Sequence, residues 1–103
     1  MANKTICPKF EKAVTLLNKR WTGLIIAQLL NGSQRFCHIE SDIGISGRVL
    51  SERLKDLENE GIIKRTVYDE TPVRIEYSLT EKGKALAPLM EEMQKWADKW
   101  VEE

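Results

Sequence analysis

The sequence predicts an α+β fold that is mainly helical, namely a winged helix-turn-helix with a long C-terminal dimerisation helix. Two observations lead to this prediction. Apolar residues recur every three or four positions through most of the 103-residue chain, which is the pattern of amphipathic helices. Within residues 73–79, by contrast, apolar and polar side chains alternate, as in a half-buried strand. The length is typical of one domain, so residues 1–103 are expected to form a single unit.

Two helices are predicted before the helix-turn-helix. Proline is favoured in the first turn of a helix, so Pro8 places Cys7 at or near the N-cap of the first one. This helix is expected to run to about Asn18. A second, strongly apolar helix begins near Trp21 and ends at a turn that contains Gly32.

The helix-turn-helix is predicted over about residues 36–60. A short helix over residues 37–43 is followed by Gly44, and a longer helix then begins. Ser46 is placed to be the N-cap of the longer helix, since its hydroxyl can accept a hydrogen bond from a free backbone N–H. Gly61 stands where a glycine in the left-handed conformation would end that helix.

The longer helix has two unlike faces. Leu50, Leu54 and Leu57 share one apolar stripe. The opposite face is polar and carries Arg48, Ser51, Glu52, Lys55 and Asn59. An ordinary amphipathic surface helix has the same pattern, so the neighbouring elements must decide whether this helix enters a DNA major groove.

A wing is predicted over about residues 62–79, directly after the helix-turn-helix. Residues 63–68 are the candidate for its first strand, and residues 73–79 for its second. Residues 69–72 join them as a turn that ends in proline, which makes a β-hairpin. A hairpin in this position favours DNA binding over a plain surface helix.

One long helix is predicted from Thr80 to about residue 101, kinked near Pro88 because proline removes a backbone hydrogen bond. The side chains of its apolar stripe include Leu89, Met93, Trp96 and Trp100. A chain of this size has little core left to cover them, and contiguous exposed aromatic surface is uncommon on monomers. We therefore expect a homodimer interface here. The alternative is that the helix folds back on its own core.

These elements predict that the partner is double-stranded DNA. A recognition helix reads base edges with its first turns, whereas the wing touches the sugar–phosphate backbone. Arg48 is expected to contact a base, because a guanidinium can hold O6 and N7 of guanine together. Ser46 and Gly47 lie at a helix N-terminus, where backbone N–H groups bind phosphate. Lys55 is expected to meet a phosphate.

Other polar residues leave alternatives open. Ser51 is within reach of either a base or a phosphate. Glu52 either accepts from N4 of cytosine or pairs with Lys55. On the wing, Arg74 is expected to approach the DNA backbone or the minor groove. Arg53 lies at the edge of the apolar stripe, so packing and DNA contact are equally consistent with its position.

Composition and charge narrow the functional classes. The net charge is zero, but residues 1–65 carry 11 Lys/Arg against 7 Asp/Glu and residues 66–103 carry 5 against 9, so a local basic footprint is retained. The two cysteines have no CxxC spacing and there is one histidine, so neither a metal site nor a cofactor is expected. No catalytic motif occurs, so an enzyme is not expected. Because an 18-residue apolar run and a signal peptide are both absent from the sequence, a cytoplasmic protein without membrane contact is expected.

Several short motifs occur together in one order over nearly the whole chain. They are Cys7-Pro8, Lys19-Arg20-Trp21, Arg35-Phe36, Ile45-Ser46, Leu50-x3-Leu54-x2-Leu57, Glu60-Gly61, Pro72, Glu76-Tyr77-x-Leu79-Thr80-x2-Gly83 and Trp96. In this order they resemble the HxlR family of bacterial transcriptional regulators, and within it the thiol-based repressors that sense quinones, electrophiles or disulfide stress. The resemblance implies a homodimer on a palindromic operator.

The resemblance also implies that Cys7 is the sensing cysteine, since it stands just before the first proline. A position at a helix N-terminus, with Lys4 and Lys9 close in sequence, favours the reactive thiolate. Some members of the family form an intersubunit disulfide with a cysteine in the last helix, which this chain lacks. Oxidised Cys7 would therefore pair with Cys37, pair with another Cys7, or be capped by a small thiol or quinone. Cys37 itself is expected to be packed.

The sequence thus predicts a dimeric, sequence-specific repressor that senses quinones, electrophiles or thiol oxidation through Cys7 and then releases its operator. The alternative is a regulator of the same family that responds to another small molecule without thiol chemistry. A winged helix used only for protein interaction is disfavoured by the polar face that carries Arg48 and Lys55.

Overall fold

A computed structural model describes residues 6–103 and confirms, within that range, a mainly helical winged helix-turn-helix. Its elements are α1 (Pro8–Leu17), α2 (Thr22–Leu29), α3 (Phe36–Ile43), α4 (Gly47–Asn59), β1 (Ile63–Tyr68), β2 (Arg74–Leu79), α5 (Glu81–Lys84) and α6 (Ala87–Trp100). The helix-turn-helix consists of α3 and α4, and the wing is the two-stranded antiparallel sheet of β1 and β2. None of the helices in this range is long and apolar enough to cross a membrane.

The core is built around α2 and the apolar face of α4. Leu50, Leu54 and Leu57 of α4 are fully buried, as the stripe predicts. Ile25 and Ile26 of α2 are buried in the same cluster. The other buried apolar side chains in it are Leu29, Ile39, Ile45, Ile62, Ile63, Tyr77 and Leu79. One face of α4 is therefore anchored in the core, and its opposite face is left for solvent.

Both ends of α4 are set by local sequence signals. The backbone N–H of Val49 donates to the hydroxyl of Ser46 at 3.3 Å, which caps the first turn. At the other end Gly61 has a φ of 76°, in the left-handed region that glycine adopts without steric cost. The N–H of Ile62 then donates to the carbonyl of Leu57 at 2.9 Å, as in a Schellman motif. The predicted cap and stop are confirmed.

The wing is tied to the rest of the domain at its base. Its strands pair in antiparallel register over their whole length. Gln34, in the loop before α3, exchanges both backbone hydrogen bonds with Tyr77 of β2, at 2.9 and 2.8 Å. Val73, which was expected to begin the second strand, precedes it and is exposed. The bridge at Gln34 fixes where the wing leaves the helix-turn-helix.

The expectation of one continuous terminal helix with a kink is wrong. The hydroxyl of Thr80 accepts from the N–H of Gly83 at 3.1 Å, but the helix that it caps is α5, which ends at Lys84. A separate helix, α6, begins at Ala87 with Pro88 in its first turn. In a continuous helix Pro88 would leave the carbonyl of Lys84 without a donor, whereas in a first turn its missing N–H costs nothing.

The first and last helices contact the core only through partly buried side chains, namely Leu16 and Leu17 of α1 and Met90 of α6. Neither α1 nor α6 contains a buried residue. The radius of gyration is 15.6 Å and the principal extents are 59 × 33 × 24 Å, whereas a compact chain of this length has a radius of gyration of about 13 Å. The protomer is therefore elongated, and two of its helices have apolar side chains without a packing partner.

Candidate DNA interface, thiol site and exposed apolar stripes

The polar face of α4 forms one exposed surface in the structure. Arg48, Ser51, Glu52 and Lys55 are all exposed, and they lie opposite the buried leucines. The side chain of Arg48 is 90% exposed, and its Nε lies 3.9 Å from an oxygen of Glu52. An exposed pair at that distance contributes little to stability, so the guanidinium is available to a ligand.

A carboxylate lies close to the start of α4. Gly47 is packed so that a β-carbon at this position would lie 2.9 Å from Oε2 of Glu40, which belongs to α3. The hydroxyl of Ser46 already accepts from the N–H of Val49. One of the N–H groups expected to bind a phosphate at this helix N-terminus is therefore already bonded to a group of the protein itself. Sequence reasoning missed Glu40, because nothing in its local pattern indicates that α3 brings it to the first turn of α4.

Arg74 lies within a cluster of the wing rather than free in solvent. Its Nε and Nη2 donate to the two carboxylate oxygens of Glu70 at 3.3 and 2.8 Å, and its Nη1 donates to Glu76. The guanidinium also lies over the ring of Tyr68, with Cζ 3.8 Å from the ring centroid. The hydrogen bond from Arg74 holds the pKa of Glu70 below its ordinary value. DNA contact by Arg74 stays a prediction, and such a contact has to compete with these two carboxylates.

Arg53 is packed on its own protein, which decides between the two alternatives left open by its position. Its Nε donates to the backbone carbonyl of Arg20 at 2.9 Å, and its side chain is 18% exposed. Its Nη1 lies 3.7 Å from Asp56, and the other partner of Asp56 is Lys19, whose Nζ lies 2.7 Å from the same oxygen. These contacts connect α4 with the turn between α1 and α2.

Cys7 is exposed at the N-cap of α1. Its carbonyl accepts from the N–H of Glu11 at 3.0 Å, so the residue is held at the start of the helix while its thiol makes no capping hydrogen bond. Lys9 lies in the first turn of the same helix, whereas Lys4 lies outside the described residues. Cys7 is therefore open to reagents from solvent.

The expectation that Cys37 is packed is wrong. Cys37 is exposed as a free thiol. α3 buries Ile39 and partly buries Phe36 and Ile43, which form a stripe at three- and four-residue spacing. Cys37 follows Phe36 by one residue, which turns its side chain about 100° away from that stripe.

Apolar side chains remain exposed along α6 and α1. On α6 they are Leu89, Met93, Trp96 and Trp100, with Trp96 62% exposed and Trp100 63% exposed. On α1, Phe10 and Val14 are exposed one turn apart, and Leu24 of α2 is exposed as well. Met90 at the start of α6 packs partly buried against the core, but the alternative in which the last helix folds back on its own core does not hold for this stripe, since its four side chains are all exposed.

Taken together, the anchored helix-turn-helix, the exposed polar face of its second helix and the adjoining wing define a DNA-binding transcriptional regulator of the winged helix-turn-helix class. The chain belongs to the HxlR family, because the family described as HxlR-like helix-turn-helix matches residues 16–103. The family resemblance seen in the sequence is confirmed.

Two relatives from Bacillus subtilis (strain 168) match nearly the whole chain. The HTH-type transcriptional regulator YvaP is 63% identical over 103 residues, which cover 99% of this chain and 95% of YvaP. The HTH-type transcriptional regulator YodB is 52% identical over 99 residues, which cover 95% of this chain and 88% of YodB. Both relatives are transcriptional regulators, in line with the lack of catalytic motifs in the sequence.

Solved structures of YodB have the same fold. The reduced form matches with a TM-score of 0.84 and 52% identity, covering 94% of this chain and 96% of that structure. The quinone-bound form matches with a TM-score of 0.80 and 48% identity, covering 92% of this chain and all of that structure.

Proposed function

We propose that the chain is a homodimeric repressor that binds a palindromic operator, senses quinones, other electrophiles or thiol oxidation through Cys7, and then releases the operator. The observation that carries the proposal is the position of Cys7. Its thiol is exposed at the start of a helix whose apolar side chains, including Phe10 and Val14, are left uncovered by the protomer. A group added to Cys7 would therefore lie at the edge of the surface on which a second subunit is expected.

The DNA contacts are assigned from the exposure and chemistry of the α4 face. Arg48 reads a base, Lys55 neutralises a phosphate, and Ser51 and Glu52 lie between them on the same exposed face. Ser46 and Gly47 present the N-terminus of α4 to the backbone of the DNA. On the wing, Arg74 approaches the DNA after exchanging a carboxylate for a phosphate.

Dimerisation is assigned to α6 together with α1. The stripe formed by Leu89, Met93, Trp96 and Trp100 is the largest run of exposed apolar side chains on a single helix of the described residues. Burying it against a second copy would cover the two tryptophans, which are the side chains with most area to gain. The two copies of α4 would then read successive major grooves if they lie about 34 Å apart.

The chemistry requires no second cysteine. The thiolate of Cys7 adds to a ring carbon of a quinone, so that one C–S bond forms and an electron pair moves onto the ring oxygen. That oxygen takes up a proton, the attacked ring carbon loses its hydrogen as a proton while the second ring oxygen gains one, and the product is a hydroquinone thioether on Cys7. The quinone itself is reduced in this step and is the only co-reactant. Support comes from YodB, which has been solved in a quinone-bound form and in a diamide-treated form.

The test is a gel shift with the DNA upstream of the chain's own gene and its neighbours, with and without p-benzoquinone. We expect wild type and Cys7→Ser to bind the DNA equally, and the quinone to release wild type alone. Cys37→Ser is the matched control, because it removes the other exposed thiol, and we expect it to behave as wild type. Release of Cys7→Ser by the quinone would contradict the sensing role.

A further inference from the structure

The turn between α1 and α2 contains an uncommon backbone conformation. Trp21 has a φ of 77°, in the left-handed region that a bulky side chain rarely adopts. The guanidinium of Arg20 lies over the indole ring, with Cζ 4.8 Å from its centroid. Conformations of this kind persist where the surroundings hold them, and they recur in switch regions. The turn formed by Lys19, Arg20 and Trp21 is called the α1–α2 turn below.

The side chains that hold this turn come from the DNA-reading helix. Arg53 of α4 donates from Nε to the carbonyl of Arg20 at 2.9 Å, immediately before the strained residue. One turn further along α4, Asp56 accepts from Nζ of Lys19 at 2.7 Å. Nη1 of Arg53 also lies 3.7 Å from Oδ2 of Asp56. The two side chains that hold the turn are therefore paired with each other. Arg53 is mostly covered, with 18% of its side chain exposed, so its contact with the turn is less screened than that of a fully exposed ion pair, whereas Lys19 and Asp56 are 48% and 39% exposed.

Only the end of α1 next to the turn packs on the core, through the partly buried Leu16 and Leu17. No residue of α1 is fully buried, and a cleft of about 1240 Å³ separates the rest of the helix from the C-terminal half of α4 and from α5. Lys19 and Asp56 line that cleft, and Nζ of Lys19 lies 2.7 Å from Oδ2 of Asp56. A displacement of α1 would therefore reach α4 first through the α1–α2 turn.

We infer that Arg53 and Asp56 are positioning residues, which couple the α1–α2 turn to the reading helix and carry a displacement of α1 to the DNA-contacting face. Arg53 and Asp56 flank the buried stripe of α4, whereas Arg48 and Lys55 face solvent. A displacement of the α1–α2 turn would move Arg53 and so rotate or shift α4 about its buried leucines. Arg48 and Lys55 would then change position relative to a base pair. This inference rests on the proposed function, since the displacement of α1 starts from the modification of Cys7.

The experiment uses the full chain, the DNA bound in the gel shift above, and p-benzoquinone as the reagent. Wild type, Arg53→Met and Asp56→Asn are compared by the dissociation constant of the reduced protein, that of the adduct, and the mass of the adduct on Cys7. For wild type we expect the adduct to bind about 5- to 150-fold more weakly, the usual range of coupling between two sites. Both variants should form the adduct to the same extent but change affinity by less than about two-fold.

Lys84→Met is the matched control, because Lys84 lies on α5 and its ion pair with Glu81, at 3.8 Å, does not involve the turn. It should respond to the quinone as wild type does. If Arg53→Met fails to fold, Asp56→Asn and Lys19→Met break the other contact of the same turn and give the same test. A merely structural role would lower the melting temperature and leave the ratio of adduct to reduced affinity at its wild-type value.

The possible results distinguish a failure of this inference from a failure of the proposed function. Release of folded Arg53→Met and Asp56→Asn by the same factor as wild type would overturn the coupling while leaving the sensing role of Cys7 intact. Release of Cys7→Ser as readily as wild type would overturn both. Adduct formation without release in the two variants, alongside normal release of Lys84→Met, is the result that supports the inference.

Discussion

Gly83 of α5 packs so closely on Ile62 that a β-carbon at residue 83 would lie 2.3 Å from the carbonyl oxygen of Ile62. The same carbonyl accepts from the N–H of Thr80 at 2.9 Å, and the hydroxyl of Thr80 donates to the carbonyl of Gly61 at 2.6 Å. Lys82 adds a hydrogen bond from Nζ to the carbonyl of Glu60 at 2.6 Å. The end of α4 is thus joined directly to α5, and through α5 to the start of α6.

Gly83→Ala should lower the free energy of unfolding by about 3 kcal/mol, the upper part of the range for overpacking, because the group in the way is backbone. Urea denaturation measures this change. Gly23→Ala is the control: no atom lies within 4 Å of a β-carbon there, so the variant should gain up to about 1 kcal/mol from higher helix propensity. Equal stability of the two variants would contradict the packing described at Gly83.

Arg74→Met should raise the pKa of Glu70 toward the ordinary glutamate value of 4.5, because the hydrogen bond that favours the carboxylate is lost. In the wild-type protein the folded pKa is the depressed one. The contribution of this pair to stability is therefore present above the unfolded pKa and is lost as the pH falls through the folded pKa. A carboxyl NMR titration of Glu70 measures the shift. Arg65→Met, a change on the other strand of the wing, should leave the midpoint in place.

Lys55→Ala and Arg48→Ala should weaken DNA binding in different ways. Loss of a phosphate contact at Lys55 should reduce the slope of log K against log salt by about 1 and act on all sequences alike. Loss of Arg48 should cost about 1–3 kcal/mol and relax the preference at one base pair. Titrations of operator variants at several salt concentrations separate the two effects. Lys84→Ala, on α5, should change neither quantity.

Trp96→Ala should raise the dissociation constant of the homodimer by about 30-fold, which corresponds to the ~2 kcal/mol of an interface hot spot. Trp96 is 62% exposed on the protomer, so the change should act on association rather than on the core. Sedimentation equilibrium measures it. Lys95→Ala, whose side chain pairs with Glu92 on the same helix, should leave the dimer unchanged. A Trp96→Ala protein that dimerises like wild type would place the interface elsewhere.

Much of the fold could be predicted because its signals are local. Ser46 and Gly61 act within one turn of α4, and the alternation in residues 74–79 reflects the two faces of one strand. The break before α6 was missed for a different reason. Pro88 is compatible with either a kink or a helix start, and the spacing of the apolar residues fits both, whereas in the structure α5 ends at Lys84 and Pro88 lies in the first turn of α6.

The candidate site was predicted unevenly. The exposed face of α4 follows from helical periodicity, so Arg48, Ser51 and Lys55 were identified together. Arg74 is different, since its partners depend on the hairpin and on the side-chain conformations that the turn allows. The exposure of Cys37 was missed because an apolar neighbour, Phe36, indicates only where the stripe of α3 begins.

The sequence by itself determined the two ends of α4, its polar face and the order of the elements up to the wing, because each depends on residues within a few positions of one another, and it determined the membership of the HxlR family through the order of short motifs along nearly the whole chain. Only the tertiary structure decided which charged side chains are exposed to a ligand and which are paired within the protein. Arg53 donates to the carbonyl of Arg20, which is 33 residues away in the sequence. Arg74 is paired with carboxylates of the wing, among them that of Glu70. The pairing of Arg53 with the carbonyl of Arg20 and that of Arg74 with Glu70 are set by how helices, strands and turns come together, which side-chain spacing along one element does not show.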